Sequence, residues 1–290
     1  PQPGRMVNLS TRTKIGFVGD SFALGFALSG TQKATLLIRG VGPALAAFGL
    51  TGALSAPRLE VNSGATVIAA NEGWDKTGAT AAQQITAAAT AVGAFALPAG
   101  GLDTAVVVSL DPGSYTVNVK GLNGATGDVL AEVYDVSKNG TRLTNLSTNA
   151  KIYAEGEVLI PGITIEGGNT PRTLVIRAVG AGLGQFGLTS VVGDTRISVL
   201  SGSTVVATNN NWSQGGTTGD AGTLAAVFPV VGAFPLRATD PDAALIDAFA
   251  PGSYTLQAGA APLVTNPNGQ PATTVAPAQT GSVLVEVYEV

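Results

Sequence analysis

Two arginines stand where charge is least expected. Arg39 lies in the apolar run Leu36-Leu37-Ile38-Arg39-Gly40-Val41-Gly42, and Arg177 in Leu174-Val175-Ile176-Arg177-Ala178-Val179-Gly180. Glu132 and Glu286 sit in equally apolar stretches that end in Val-Tyr. An arginine in such a place could bind the carboxylate of a substrate. The simpler chemistry is internal, because a guanidinium taken out of water must meet a carboxylate. Arg39 with Glu132, and Arg177 with Glu286, are therefore expected to form structural ion pairs.

The other polar groupings are weaker. Asn71, Glu72 and Asp75 beside Trp74, and Asn209 to Asn211 beside Trp212, offer oxygens of the kind calcium takes, but the second cluster has no carboxylate. Asn-rich turns capped by a packed Trp explain both more simply. Asp103, Asp240 and Asp242 read as turn residues rather than as paired acid and base. Gly40-Val41-Gly42 and Gly180-Ala181-Gly182 lack the Lys and Ser/Thr of a phosphate loop. Trp74, Trp212, Tyr115 and Tyr254 could stack on a sugar, yet core packing accounts for them more economically. The sequons at Asn8, Asn139, Asn145 and Asn211 could accept glycans, although in a bacterial protein the motif is usually silent. There is no histidine and no cysteine, which removes the commonest general base, the commonest metal ligand and the thiol nucleophile. The expectation is a protein that is not an enzyme, with no catalytic residue, no cofactor and no metal.

The elements that carry these residues repeat. Asn8-Leu9-Ser10-Thr11 recurs as Asn145-Leu146-Ser147-Thr148, Phe48-Gly49-Leu50 as Phe186-Gly187-Leu188, and Pro112-Gly113-Ser114-Tyr115-Thr116 as Pro251-Gly252-Ser253-Tyr254-Thr255. The offset stays at 137 to 139, then jumps to 154 for Glu132-Val133-Tyr134 against Glu286-Val287-Tyr288. An insertion at 262–281, rich in Pro, Asn, Thr and Gln, accounts for the jump. Matches in one order along the whole chain mark a tandem duplication, with repeats at 1–138 and 139–290. Tyr115, Val117 and Val119 alternate with polar residues, the period of a half-buried strand. Short β-branched runs between Gly, Asn and Pro turns predict an all-β fold of two tandem jelly-roll-like sandwiches. Each has at most one short helix, at Ala79–Val92 and at Asp220–Val227.

Charged residues make up 12% of the chain, about half the usual share, with 15 basic against 19 acidic. No basic cluster offers a nucleic-acid footprint, so no nucleic acid is expected as a partner. The longest uncharged stretches are broken by Gly, Pro and Thr, so no membrane span is expected. A chain that starts at Pro1 is expected to be an exported form whose signal peptide has been removed.

The stretch from Arg58 to Val136 resembles the bacterial prepeptidase C-terminal type of β-sandwich domain. The residues that carry this are Ala70-Asn71-Glu72-Gly73-Trp74, Leu110-Asp111-Pro112-Gly113-Ser114-Tyr115-Thr116-Val117 and Gly127–Tyr134. The first part, with Leu37-Ile38-Arg39-Gly40-Val41-Gly42-Pro43, looks like repeats of large exported bacterial proteins. The resemblance implies a non-catalytic sandwich module outside the cytoplasm and carries over no catalytic residue.

Three function classes compete: enzyme, carbohydrate- or cell-surface-binding module, and structural subunit. Low charge and duplication favour the third, a secreted, extracellular filament of identical copies joined head to tail, pilus-like and suited to cell adhesion. From Tyr134 to Asn145 is a step of 11 residues, and from Tyr288 to Asn8 of a following copy a step of 10. The expected donor strand is Arg5, Met6, Val7, Asn8 and Leu9. The expected acceptor is the apolar final strand, with Val283, Val285, Val287 and Val290, read as an unprotected edge. A polysaccharide remains the alternative partner.

Overall fold

The computed structural model describes residues 3–137, 139–214, 219–262 and 278–290. Most of the expected loop at 262–281 lies outside the described residues.

Each repeat contributes eight strands in the same order. The first supplies β1 (Arg5–Ile15), β2 (Ser21–Ser29), β3 (Ala34–Val41), β4 (Pro57–Ser63), β5 (Thr66–Asn71), β6 (Thr104–Leu110), β7 (Gly113–Gly121) and β8 (Gly127–Asp135). The second supplies β9 (Arg142–Ile152), β10 (Val158–Glu166), β11 (Arg172–Val179), β12 (Thr195–Ser201), β13 (Thr204–Asn209), β14 (Ala243–Phe249), β15 (Gly252–Ala260) and β16 (Gly281–Glu289). One α-helix per repeat, α1 (Ala79–Ala91) and α2 (Ala221–Val227), lies where the sequence places it. Asp220 starts α2 by accepting from Thr223 N at 3.0 Å. Short 3₁₀ turns are the other helical elements among the described residues, and the fold is all-β.

The chain forms two compact units that interleave in sequence. Unit 1 takes Pro1–Thr148, Pro161–Pro171 and Ala250–Ser253; unit 2 takes Asn149–Ile160, Arg172–Phe249 and Tyr254–Val290. In unit 1, β3 pairs with β6 on one side and β8 on the other, and β8 pairs with β1 from Asn8↔Tyr134 to Ile15↔Gly127. The facing layer runs β2, β7, β4, β5, all antiparallel. In unit 2, β14, β11 and β16 form one layer, and β15, β12 and β13 the other.

Alternation explains which side chains fill the space between layers. Val117 and Val119 on β7, Leu59 and Val61 on β4, and Val129, Ala131 and Val133 on β8 are all fully buried. Strand β3 differs because both of its faces are covered. Leu36 and Ile38 point one way, while Leu37 packs with Trp74, Ile85, Ala88, Ala89 and Ala105 beneath α1. Arg39 shares the Leu37 face by the period of two. That outer face, roofed by a helix, is where the charged chemistry sits.

Unit 1 also brings residues of the second repeat against β1. Met6 pairs with Leu143, and Thr11 Oγ1 lies 2.9 Å from Thr148 Oγ1. In both cases a residue meets its own repeat equivalent.

Candidate functional site

Beneath the roof of unit 1, Arg39 and Glu132 stand directly opposite each other on β3 and β8. Arg39 Nε donates to Glu132 Oε2 at 2.7 Å, and Nη2 lies 2.5 Å from the same oxygen. Nη1 donates to the Phe95 carbonyl at 2.6 Å, and Tyr134 Oη donates to Glu132 Oε1 at 2.7 Å. Unit 2 repeats the arrangement: Arg177 faces Glu286, with Nε and Nη2 at 2.9 and 2.5 Å from Oε2. Its Nη1 reaches the Phe234 carbonyl, and Tyr288 Oη donates to Glu286 at 2.6 Å. Both arginines are fully buried. A carboxylate already holding a guanidinium and a phenol on its two oxygens has little left for a substrate. The group neutralises its own charge and locks the register of two central strands.

The tyrosines make this measurable. Burial, followed by the negative charge of Glu132 or Glu286 and the hydrogen bond to it, holds the phenols of Tyr134 and Tyr288 well above the ordinary tyrosine range. The folded protein thus keeps two protons that the unfolded chain releases near pH 10. Where the unfolded state binds fewer protons, stability falls as pH rises. Stability should be level below that pH, then drop by about 1.4 kcal/mol per pH unit for each tyrosine. Denaturant melts between pH 9 and 11.5 check this, and Tyr134→Phe should remove its share of the slope.

Asp103 and Asp242 hold a role that turn chemistry did not suggest. Both are fully buried. Asp103 Oδ1 accepts from Gly42 N at 2.9 Å and Ala44 N at 3.2 Å, and the Asp242 carboxylate accepts from Gly180 N and Gly182 N at 2.8 and 2.9 Å. The glycine loops do cradle an anion, and it is the protein's own carboxylate. Burial pushes the Asp242 carboxyl up, against the pull of those two backbone donors. Gly42 and Gly180 are needed because a Cβ there would run into the carbonyls of Leu54 and Val192. The signal in the sequence was the matched occurrence of Gly-x-Gly and a distant Asp in both repeats.

The oxygen clusters are likewise engaged. Asn71 Oδ1 accepts from Gly73 N and from Ala105 N on β6, while Asn209 Oδ1 accepts from Ala244 N on β14. Glu72 pairs with Arg58, and Asp75 accepts from Gly100 N at 2.6 Å. Among the described residues no group of three or more His, Cys, Asp or Glu could hold a metal. The indoles of Trp74 and Trp212 are buried and donate to the carbonyls of Pro98 and Arg237. Tyr115 stacks on Phe26 and Tyr254 meets Phe249, with centroids 5.5 and 5.2 Å apart. Trp74 and Trp212 are buried in their units, while Tyr115 and Tyr254 are half-buried against a phenylalanine.

The expected donor and acceptor strands are both paired within the chain. Met6, Val7 and Leu9 are buried on β1, Asn8 begins the β8 ladder, and Arg5 pairs with Asp135. Val283, Val285 and Val287 are fully buried on β16, which pairs with β11 and β9, while Val290 is half exposed and donates to Thr173 O. The reading of the final strand as an unprotected edge is corrected. Its apolar alternation records a buried face, and says nothing of whether its hydrogen-bonding sides are taken.

Four strands have a single partner among the described residues, β5, β6, β13 and β14, and of these β5 and β13 end the longest run of paired strands. Among the described residues β5 pairs only with β4, and β13 only with β12. Each has six residues, Thr-Val-Ile-Ala-Ala-Asn and Thr-Val-Val-Ala-Thr-Asn, without a charge or a proline. Val67 and Ile68 are 49% and 43% exposed, and Val205 and Val206 are 55% and 46% exposed. Edge strands are normally blunted by Lys, Pro or cover. A shared bulge, at Val61/Asn62 and at Val199/Leu200, is the device present.

No family model matches the chain. No curated protein matches it either. Among solved structures, the chain described as "Crystal Structure of the STIV MCP" aligns with 11% identity over 100% of this chain and 94% of that one, at a TM-score of 0.20. No helix is long and apolar enough to cross a membrane among the described residues.

Proposed function

We propose that this chain is a non-enzymatic structural protein whose copies assemble head to tail into an extracellular fibre by β-strand addition. The observation that carries the reading is the pair of uncharged, apolar edges at β5 and β13, which carry a bulge but no lysine or proline. An edge of this kind takes up another strand through its unpaired N–H and C=O groups. A β5 edge of one copy joined to a β13 edge of the next is heterologous and leaves one free edge at each end, so it propagates. The engaged Arg39, Glu132, Asp103 and Asp242 support the non-catalytic part, since their polar atoms serve the fold. A place outside the cytoplasm follows the resemblance to prepeptidase C-terminal domains and the low surface charge.

Electron microscopy with sedimentation velocity of the full chain tests the reading. Unbranched fibres that lengthen with concentration are expected. A sharp monomer peak at high concentration would overturn it, and binding of the monomer to a polysaccharide would favour a carbohydrate-binding module.

A further inference from the structure

The two roofed faces are not equally full. At an offset of 139, Leu224 corresponds to Ile85, Phe234 to Phe95 and Phe228 to Ala89. In unit 2 the Arg177 guanidinium lies between two rings, 4.8 Å from the centroid of Phe228 and 4.4 Å from that of Phe234. Phe228 is buried and also packs on Trp212, with centroids 5.7 Å apart. In unit 1 the Phe95 ring covers Arg39 at 4.3 Å and the Tyr134 ring lies 5.8 Å away, but the place of Phe228 falls to the methyl of Ala89. A cavity of about 200 Å³ opens there, lined by Arg39, Trp74, Ile85 and Leu97, by the threonines Thr86 and Thr90, and by alanines that include Ala89.

The geometry points to a binding site in unit 1 for a small, uncharged, planar aromatic ring, seated where unit 2 carries the Phe228 side chain. Repetition of the surroundings argues for the ring: indole, guanidinium and aliphatic wall recur, while the helix above is 13 residues long in unit 1 and seven in unit 2, where Phe228 caps it. Size agrees, since an apolar cavity of about 150 Å³ in another protein takes benzene. Charge agrees as well. Arg39 is already neutralised by Glu132, so a carboxylate on the ligand would meet that glutamate rather than a free cation, whereas a ring face meets a guanidinium plane favourably. The ring could arrive free or on a peptide, and the chemistry at the cavity is the same.

Methyl spectra of isoleucine- and leucine-labelled full-length protein read the site directly. Benzene should shift the Ile85 methyl and leave Leu224 in place. Ala89→Phe should abolish the shift, and Phe228→Ala should create one at Leu224, which keeps the test decisive if the first variant folds poorly. N-acetylphenylalanine amide separates the sources: an Ile85 shift with it marks a peptide-borne ring, and a shift with benzene alone marks a free small molecule. An Ile85 methyl that does not respond to water-saturating benzene, or that still responds in Ala89→Phe, would overturn the proposal.

Discussion

Replacing Arg39 with Met is expected to cost about 3–5 kcal/mol of stability, the usual price of leaving one member of a buried pair uncompensated. Glu132 would keep its place on β8 with Tyr134 on one oxygen and nothing on the other. Its carboxylate would have to take a proton or draw in water, and either disturbs the β3–β8 ladder. The Phe95 carbonyl would also lose its donor. The double variant Arg39→Met/Glu132→Leu should recover most of the loss, because a buried pair exchanged for well-packed apolar groups is often neutral. Urea melts of the wild type, both singles and the double give the coupling directly. A loss below about 0.5 kcal/mol in the single variant, the size of an ordinary surface substitution, would remove the pair from the account of what holds the sandwich together.

How far the sequence could be read follows from what its patterns encode. Repetition encodes equivalence, so Arg39 and Arg177 can be matched from the chain alone, and with them the glutamates opposite. Local composition encodes the helices: Ala79–Ala91 and Ala221–Val227 fall within the expected segments. Period-two alternation encodes which face of a strand is buried. It does not encode which strands lie on either side, and β16 shows the consequence, since Val283, Val285 and Val287 would look the same at an edge or at the centre. Asp103 was hard to read for another reason. Its partners Gly42 and Ala44 are about 60 residues away in sequence, and a buried carboxylate beside two glycines resembles an ordinary turn until the loops are brought together. The Ala89/Phe228 difference was present in the alignment of the repeats, but a small residue facing a large one gains meaning only when the same Trp and Arg are seen to stand beside both.

Lysine at either bare edge should stop assembly without unfolding the protein. Val67 and Val205 are repeat equivalents near the start of β5 and β13, and each is about half exposed. A lysine there costs the monomer little, as surface substitutions usually do, but places a charge where an incoming strand must be desolvated, which is how natural sheets protect their edges. Val67→Lys and Val205→Lys should each remain monomeric in sedimentation velocity under conditions where the wild type forms fibres. The mixture is more telling. A Val67→Lys copy keeps its β13 edge, and a Val205→Lys copy keeps its β5 edge, so one of each can join once and then has no usable edge left. An equimolar mixture should therefore yield a one-to-one dimer and nothing longer. If edges paired like with like, β5 on β5 and β13 on β13, each variant alone would dimerise through the edge it retains, and mixing would add nothing. Fibres formed by either variant alone would show that these edges are not the joint, while a wild type that never leaves the monomer would remove the fibre itself.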